Sequence, residues 1–209
     1  MDAAGAIIIL IFVVTIFSAS TGKGGRGPVP RGGVGENKVP VYANLTVDAV
    51  PGPDYSVVAG EDSQGKIERF ILHFNKNTSY WDANLMASSM VKYGSIYDVN
   101  PKLVCALIAR ESGFNPRSVS PTGAVGLGQL LPTTSTALEV EDRYDPDQNI
   151  KGTTRYIKFL CDKWKAHPQQ VALALASYLE GHGAISRNGG YSTKTKEYVE
   201  DIIRIYWRI

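Results

Sequence analysis

Cysteine and histidine are scarce in this sequence, which has two cysteines and three histidines among 209 residues. It contains no CxxC pair and no Cys/His cluster, so no metal or other cofactor is expected. The 22 basic and 20 acidic residues give a formal net charge of +2. A nucleic-acid-binding face needs concentrated basic charge, and the sequence therefore predicts no nucleic-acid partner.

The two cysteines, Cys105 and Cys161, lie in stretches with the spacing of amphipathic helices. Isolated cysteines in such stretches usually behave as small buried hydrophobic residues. The alternative is one disulfide that joins the two helices, which requires a location outside the cytoplasm. The sequence leaves both interpretations open.

A long apolar run occupies residues 3–19, and its length is close to the lower limit for a helix that crosses a bilayer. We assign residues 1–20 as a signal peptide or a membrane anchor. Ser18-Ala19-Ser20 resembles a cleavage site, whereas the absence of Lys and Arg before the run is atypical of a signal peptide. Either interpretation predicts contact with a membrane.

Three further segments follow from the composition. Residues 21–54 are rich in Gly and Pro and predict a flexible linker, because such a composition cannot build a core. Residues 55–80 predict an extended arm with one or two short strands. Residues 81–209 predict the main folded domain.

Apolar residues at three- and four-residue spacing predict that this domain is mainly α-helical. Asp82 is a candidate N-cap for a helix to about Tyr93, and a second helix begins at Pro101 and ends near Gly113. Later helices are predicted near residues 132–138, 147–164, 169–180 and 194–207. The long irregular segment 114–131 lies between helices, and long loops in compact domains are often functional.

Glu111 is the candidate acid. It follows Leu107 by four residues and Leu103 by eight, so it lies on the buried side of its helix. It also falls in the last turn, where the helix dipole disfavours an anion, and both effects raise the pKa of a carboxyl group. The alternatives are that Glu111 pairs with Arg110 or Arg117, or that it is exposed.

Four ordered segments resemble one family. ALIARESGFNPRSVSPTGAVGLGQLLPTT, residues 106–134, resembles the catalytic core of the soluble lytic transglycosylase family (SLT domain) of the lysozyme-like superfamily. YDPDQNIKGTTRYIKFL is similar to the family's DPxxNIxxGxxYL, ALASYLEGHGAI to its AYNAGPGAV, and TKTKEYVEDI to its ETRxYVxxV. The resemblance covers residues 80–206 and implies a mainly α, goose-type lysozyme-like helical domain.

The resemblance also implies functional residues. Glu111 corresponds to the family's catalytic acid/base, and the substrate-binding candidates are Ser120, Gly126, Gln129, Tyr178 and Tyr198. Glycines such as Gly126 permit positive φ and close approach to a sugar chain, although they also serve in turns. The chain departs from the family at Gly128, where the family has Met, and at Leu179, where it has Asn.

The activity implied is cleavage of the MurNAc-GlcNAc β-1,4 bond of peptidoglycan with formation of a 1,6-anhydromuramoyl end. One alternative is a lysozyme-type hydrolase in which Glu180 or Asp145 assists water, since hydrolases normally use two carboxylates. The other is a wall-binding protein of the same fold without turnover. Glu180 is more typical of a helix end, and His182 of a turn.

The implied partner is the glycan strand of peptidoglycan, at the extracytoplasmic face of the cell envelope. A domain tethered to the membrane by residues 1–54 would act locally, as at a secretion, conjugation or phage-entry machine. The basic residues Lys23, Arg26 and Arg31 favour the opposite orientation, with that side of the membrane segment in the cytoplasm.

Overall fold

The computed structural model describes residues 63–209 of the chain. These residues form a bundle of α-helices and contain no β-strand, which confirms the mainly α prediction. The elements are α1 Ser63–Phe74, α2 Tyr80–Tyr97, α3 Pro101–Ser112, α4 Pro132–Ala137, α5 Pro146–Lys163, α6 Gln170–Glu180, α7 His182–Asn188 and α8 Thr193–Tyr206.

Helix α3 lies at the centre of the hydrophobic core. Its residues 103–109 are all buried, so apolar surface surrounds the helix on every side. It packs against α1, α2, α5 and α8. Truncating a fully buried side chain here, such as Ile108 to Ala, is expected to cost about 2–5 kcal/mol of the free energy of unfolding.

Short polar side chains and prolines define the helix starts. Asn100 caps α3 and Asp145 caps α5, and each is followed by a proline in the first turn. The predicted N-cap Asp82 is wrong. The cap of α2 is Ser79, whose hydroxyl accepts a hydrogen bond from the Asp82 backbone N–H at 3.1 Å.

The extended arm predicted for residues 55–80 is also wrong where the structure describes it, because Ser63–Phe74 is a helix. Ile67, Phe70, Ile71 and Phe74 follow the i, i+3, i+4, i+7 spacing of a helix face. Ile67 and Ile71 are fully buried against the core. The sequence interpretation gave this segment one or two short strands, but its apolar periodicity favours a helix.

The later predicted helices are present as α4, α5, α6 and α8, with ends shifted by one or two residues. The short helix α7 was not predicted. Its first residue is His182, which was assigned to a turn and instead packs edge-on against Trp164 at 5.0 Å between ring centroids. Gly181, with φ 85°, separates α6 from α7 and permits the change of direction.

The predicted signal peptide or membrane anchor and the predicted linker lie outside the described residues, as does the first part of the predicted arm. Among residues 63–209, no helix is both long and apolar enough to cross a membrane. The two cysteines are buried with free thiols in α3 and α5, as the first interpretation predicted. Burial raises the pKa of the Cys161 thiol to about 12.

A polar cluster ties α2 to α5. The Ser89 hydroxyl donates to Asp147 Oδ1 and the Tyr93 hydroxyl donates to Asp147 Oδ2, both at 2.6 Å. Lys92 Nζ lies 3.9 Å from Oδ1. Burial acts to raise the pKa of Asp147, but the two hydrogen bonds and the Lys92 charge outweigh it and the pKa is lowered.

We expect Asp147→Ala to lower the free energy of unfolding by about 1–3 kcal/mol, because the Ser89 and Tyr93 hydroxyls lose their acceptor. Urea denaturation followed by circular dichroism measures this. The matched control is Asp162→Ala, which removes an exposed pair with Lys158 and should cost about 0.5 kcal/mol or less.

The same pair of proteins tests the pH dependence. Because folding lowers the pKa of Asp147, its contribution is present above the unfolded Asp pKa of about 3.9 and is lost as the pH falls below it. The stability difference between wild type and Asp147→Ala should therefore shrink below about pH 4. A difference that stays constant to pH 2 would contradict the assigned role.

Candidate active site

Glu111 lies at the C-terminal end of α3, in the last turn of the central helix. The helix ends at its C-cap Gly113, which adopts φ 58° and donates its backbone N–H to the Ala109 carbonyl. The Glu111 side chain is therefore presented at the margin of the core, partly covered by protein. This position agrees with the buried side predicted from the spacing of Leu103 and Leu107.

The Glu111 carboxyl group accepts a hydrogen bond at Oε1 from the Tyr198 hydroxyl. Burial raises the pKa of Glu111 to about 7, although the Tyr198 hydrogen bond and the nearby Arg110 charge act to lower it. The predicted direction of the shift is confirmed. A carboxyl group with this pKa is protonated in a large fraction of molecules near neutral pH, as a general acid requires.

Arg110 does not neutralise Glu111 by direct pairing. Its Nε lies 3.3 Å from Asp201 Oδ2, and its guanidinium lies 5.3 Å from the centroid of the Tyr198 ring. Both contacts are made to α8, so Arg110 fixes that helix against the end of α3. This arrangement holds the Tyr198 hydroxyl on Glu111.

Tyr178, on α6, approaches the same carboxyl group. Its hydroxyl donates to the Gly128 carbonyl at 2.6 Å. Burial, and next the negative charge of Glu111, raise the pKa of Tyr178 well above its ordinary value. The structure thus brings together Glu111, Tyr178 and Tyr198, three of the six candidate residues, from three different helices.

The loop between α3 and α4 is held by one buried amide, that of Asn149 on α5. Its Nδ2 donates to the Val125 carbonyl at 3.1 Å and to the Arg143 carbonyl at 2.7 Å, and its Oδ1 accepts the Gly128 N–H at 2.8 Å. Gly126 lies in this contact with φ 80°. A Cβ there would stand 2.1 Å from the Arg143 carbonyl oxygen and 2.4 Å from Asn149 Nδ2.

Gly128 is required for another reason. Its φ is not positive, but a Cβ would lie 1.9 Å from Thr153 Oγ1. In the motif DPxxNIxxGxxYL, counted from Asn149, the family has glycine at the position of Thr153. The Thr153 side chain therefore fills the space that a side chain at position 128 would need.

Ser120 and Gln129 bind the loop itself. The Ser120 hydroxyl accepts the Ala124 N–H at 3.0 Å, and Gln129 Nε2 donates to the Ser118 and Gly126 carbonyls at 3.2 and 3.0 Å. Gln129 has φ 52°, which is uncommon for a residue other than glycine. Their geometry shapes the loop, and a direct contact of either side chain with substrate stays a prediction.

Sequence reasoning did not single out Asn149, Thr153 or Arg143 as site residues. Arg143 Nη1 donates to the Gly123 and Leu130 carbonyls at 2.9 and 3.1 Å, across the loop. Asn149 and Thr153 are one helical turn apart and fully buried. Two polar residues at i, i+4 on an otherwise apolar helix face were the signal that could have identified them.

The segment after Glu111 is anchored by α1. Phe114 has φ 64°, is 1% exposed and makes edge-on contacts with Phe70 and Phe74 at 6.2 and 5.5 Å. Asn75 Nδ2 donates to the Gly113 carbonyl at 2.8 Å. The helix that sequence reasoning took for an arm therefore fixes the end of α3 that bears Glu111.

The two carboxylates considered as helpers of a water molecule are engaged elsewhere. Asp145 caps α5 and accepts the Gln148 N–H at 2.8 Å. Glu180 accepts a hydrogen bond from the Thr195 hydroxyl in the first turn of α8. Across residues 63–209 no group of three or more His, Cys, Asp and Glu residues could hold a metal ion.

Comparison with known proteins identifies the family. The model of the family described as Transglycosylase SLT domain matches residues 88–200, which is more than half of the chain. The chain belongs to this family. The matched span of the SLT domain contains Glu111, Asn149, Tyr178 and Tyr198.

Two curated relatives of the SLT domain show the extent of the similarity. A protein named Transglycosylase from Enterobacteria phage PRD1 is 35% identical over 108 residues, 52% of this chain and 38% of the relative. Membrane-bound lytic murein transglycosylase F from Pectobacterium atrosepticum is 38% identical over 88 residues, 41% of this chain and 18% of the relative. The chain thus spans well under half of these relatives.

Solved structures agree on the fold. The 70 kDa soluble lytic transglycosylase from Escherichia coli has a TM-score of 0.50 at 20% identity, over 74% of this chain and 32% of that chain. The structure of the 70-kDa soluble lytic transglycosylase in complex with bulgecin A has a TM-score of 0.52 at 20% identity, with the same coverage. The SLT domain therefore has the lysozyme-like fold.

We expect Gly126→Ala to destabilise the SLT domain much more than Gly123→Ala. Both glycines have φ 80°, so both variants incur backbone strain of about 1–2 kcal/mol. No atom lies within 4 Å of a Cβ at Gly123, whereas Gly126 is packed against Asn149 and Arg143. Thermal unfolding measures the difference, and equal losses would show that the loop contact is not tight.

Proposed function

We propose that this protein is a peptidoglycan lytic transglycosylase that cleaves the MurNAc-GlcNAc β-1,4 bond and leaves a 1,6-anhydromuramoyl end. The observation that carries the proposal is Glu111, a single carboxyl group with a pKa of about 7 that accepts a hydrogen bond from Tyr198 and whose charge raises the pKa of Tyr178. The names of the relatives, including lytic murein transglycosylase, support the same substrate class.

In the first step, protonated Glu111 donates its proton to the glycosidic oxygen. The bond between C1 of MurNAc and that oxygen breaks, and the GlcNAc portion leaves with the proton as a new hydroxyl group. Glu111 becomes an anion, and positive charge develops at C1. The Tyr198 hydroxyl, which already donates to Oε1, stabilises the new carboxylate.

In the second step, ionised Glu111 accepts the proton of the muramoyl 6-hydroxyl group. The 6-oxygen forms the bond to C1 and closes the anhydro ring, so no water is consumed. Glu111 is protonated again and ready for the next bond. One residue therefore serves as acid and then as base, which suits a pKa close to the working pH.

The hydrolase alternative requires a second carboxylate to act on water. Asp145 and Glu180 both have structural hydrogen bonds, at the start of α5 and of α8 respectively. These contacts favour the transglycosylase over the hydrolase. Tyr178 and the loop of Ser120, Gly126 and Gln129 are proposed to bind the glycan around the scissile bond.

The proposed site of action is the extracytoplasmic face of the cell envelope. Residues 1–20 would serve as a membrane anchor or a signal peptide and residues 21–54 as a linker to the catalytic domain. Local action at a secretion, conjugation or phage-entry machine is part of the same proposal. The phage and membrane-bound relatives support it.

We expect Glu111→Gln to lower turnover by about 10²-fold or more with the fold intact, because the amide has the shape of the acid but no proton to give. Mass spectrometry of soluble products from peptidoglycan measures this. The control is Glu200→Gln, on the outer part of α8 beside Lys196.

The products decide between the candidate functions. Anhydromuropeptides that are present with wild type and Glu200→Gln and absent with Glu111→Gln support the proposal. Reducing ends would indicate a hydrolase, and the absence of release from wild type would indicate a wall-binding protein. Undiminished turnover by Glu111→Gln would remove Glu111 from the mechanism.

We expect kcat/KM to fall as the pH rises above about 7, the pKa of Glu111, because the first step needs the protonated acid. The Tyr198 hydrogen bond lowers this pKa, so Tyr198→Phe should move the alkaline limb to higher pH. Tyr206→Phe, on the same helix and beside Asn100, is the control. An unshifted limb in Tyr198→Phe would show that the hydrogen bond does not tune Glu111.

A further inference from the structure

A row of aromatic rings leads away from the candidate active site along α5. The Tyr178 and Tyr156 centroids are 5.2 Å apart with planes at 50°, and the Tyr156 and Phe159 centroids are 6.4 Å apart with planes at 12°. Phe159 is 49% exposed. The row therefore begins at Tyr178, which donates its hydroxyl to the Gly128 carbonyl of the loop, and ends at the protein surface.

The helix geometry of α5 accounts for this arrangement. Asn149 and Thr153 face the loop and Tyr178, and residues 156, 159 and 163 continue the same stripe at three- and four-residue spacing. From residue 156 to residue 163 the helix rises about 10 Å. The stripe thus extends the active-site surface for a distance longer than one sugar ring.

Packing explains Tyr156 but not Phe159. Tyr156 packs against the small cluster of Leu130, Leu138 and Val140, next to the loop. Phe159 belongs to neither of the buried apolar clusters among residues 63–209 and leaves half of its side chain in water. An exposed aromatic ring stacked on a residue that contacts the site is a surface suited to a ligand.

A basic group stands at the end of the row. Lys163 Nζ lies 5.1 Å from the centroid of the Phe159 ring. An aromatic face attracts the polarised C–H groups of a pyranose ring, and the adjacent ammonium group attracts a carboxylate. Peptidoglycan offers both, because its stem peptides end in carboxylates and a MurNAc residue without a stem peptide has a free lactyl carboxylate.

We propose that Tyr156 and Phe159 form a glycan-binding platform that holds the strand beyond the scissile bond. Lys163 would pair with a carboxylate attached to MurNAc, on its stem peptide or on a lactyl group that carries no peptide. The proposal rests on the proposed function for its ligand. It adds a binding surface on α5 to the residues that the family resemblance implies. The platform would favour long strands over short ones, because only long strands reach from Glu111 to Phe159.

The test is binding in a protein with Glu111→Gln, so that the ligand is not consumed. Isothermal titration measures the Kd of peptide-free glycan strands, whose lactyl carboxylates are free, and of neutral chitohexaose. Phe159→Ala should weaken both by about tenfold. Phe159→Trp should retain affinity because it restores an aromatic face. Lys163→Ala should weaken the binding of the glycan strands and leave the binding of chitohexaose unchanged.

The matched control is Trp207→Ala, which removes another exposed aromatic ring at the end of α8. If Phe159→Ala and Trp207→Ala bind alike, or if the Glu111→Gln protein binds neither ligand, the platform is overturned. If the platform binds glycan but wild type releases no anhydromuropeptides, the proposed activity fails and the platform stands. If wild type releases them and Phe159→Ala binds normally, only the platform fails.

Discussion

The rest of the site depends on placing a carboxyl group at the end of a helix that is otherwise buried all round. Burial largely removes water from Glu111 and disfavours its ionised form, which raises the pKa of the carboxyl group to about 7. Such a group needs hydrogen-bond partners that favour ionisation without abolishing the shift. Tyr198 supplies the hydrogen bond, and Arg110 supplies charge that is shared with Asp201. The position of α8 against α3 therefore affects the pKa of Glu111.

The loop opposite the carboxyl group depends on a second interaction of the same kind. The buried amide of Asn149 binds two backbone groups of this loop, at Val125 and Gly128, and the Arg143 carbonyl just before α5. The two glycines at this contact are needed because protein atoms occupy the space of their missing side chains. The Thr153 side chain packs against Gly128, and the Gly128 carbonyl accepts the hydrogen bond of Tyr178. The loop is thus shaped by α5 and α6.

Much of the fold follows from local patterns. Periodic apolar residues identified the helices from α2 onward, and prolines and polar caps marked several of their starts. The sequence interpretation was wrong for α1, which it gave as part of an extended arm with short strands, and it did not predict the short helix α7. The ends of α1 and α3 meet through Phe74 and Phe114, which are 40 residues apart. No local pattern contains that contact.

The candidate site divides in the same way. The sequence by itself identified Glu111 as the candidate acid, since its place in the helix period and its motif need no other part of the chain. It also predicted that loop glycines such as Gly126 permit positive φ, and Gly126 has φ 80°. Only the tertiary structure decided that Tyr198 donates to Glu111, that Asn149 holds the loop, and that Tyr156 and Phe159 extend the surface. Burial and hydrogen-bond partners are properties of residues brought together from distant segments, and a helix pattern specifies a face without specifying its neighbour.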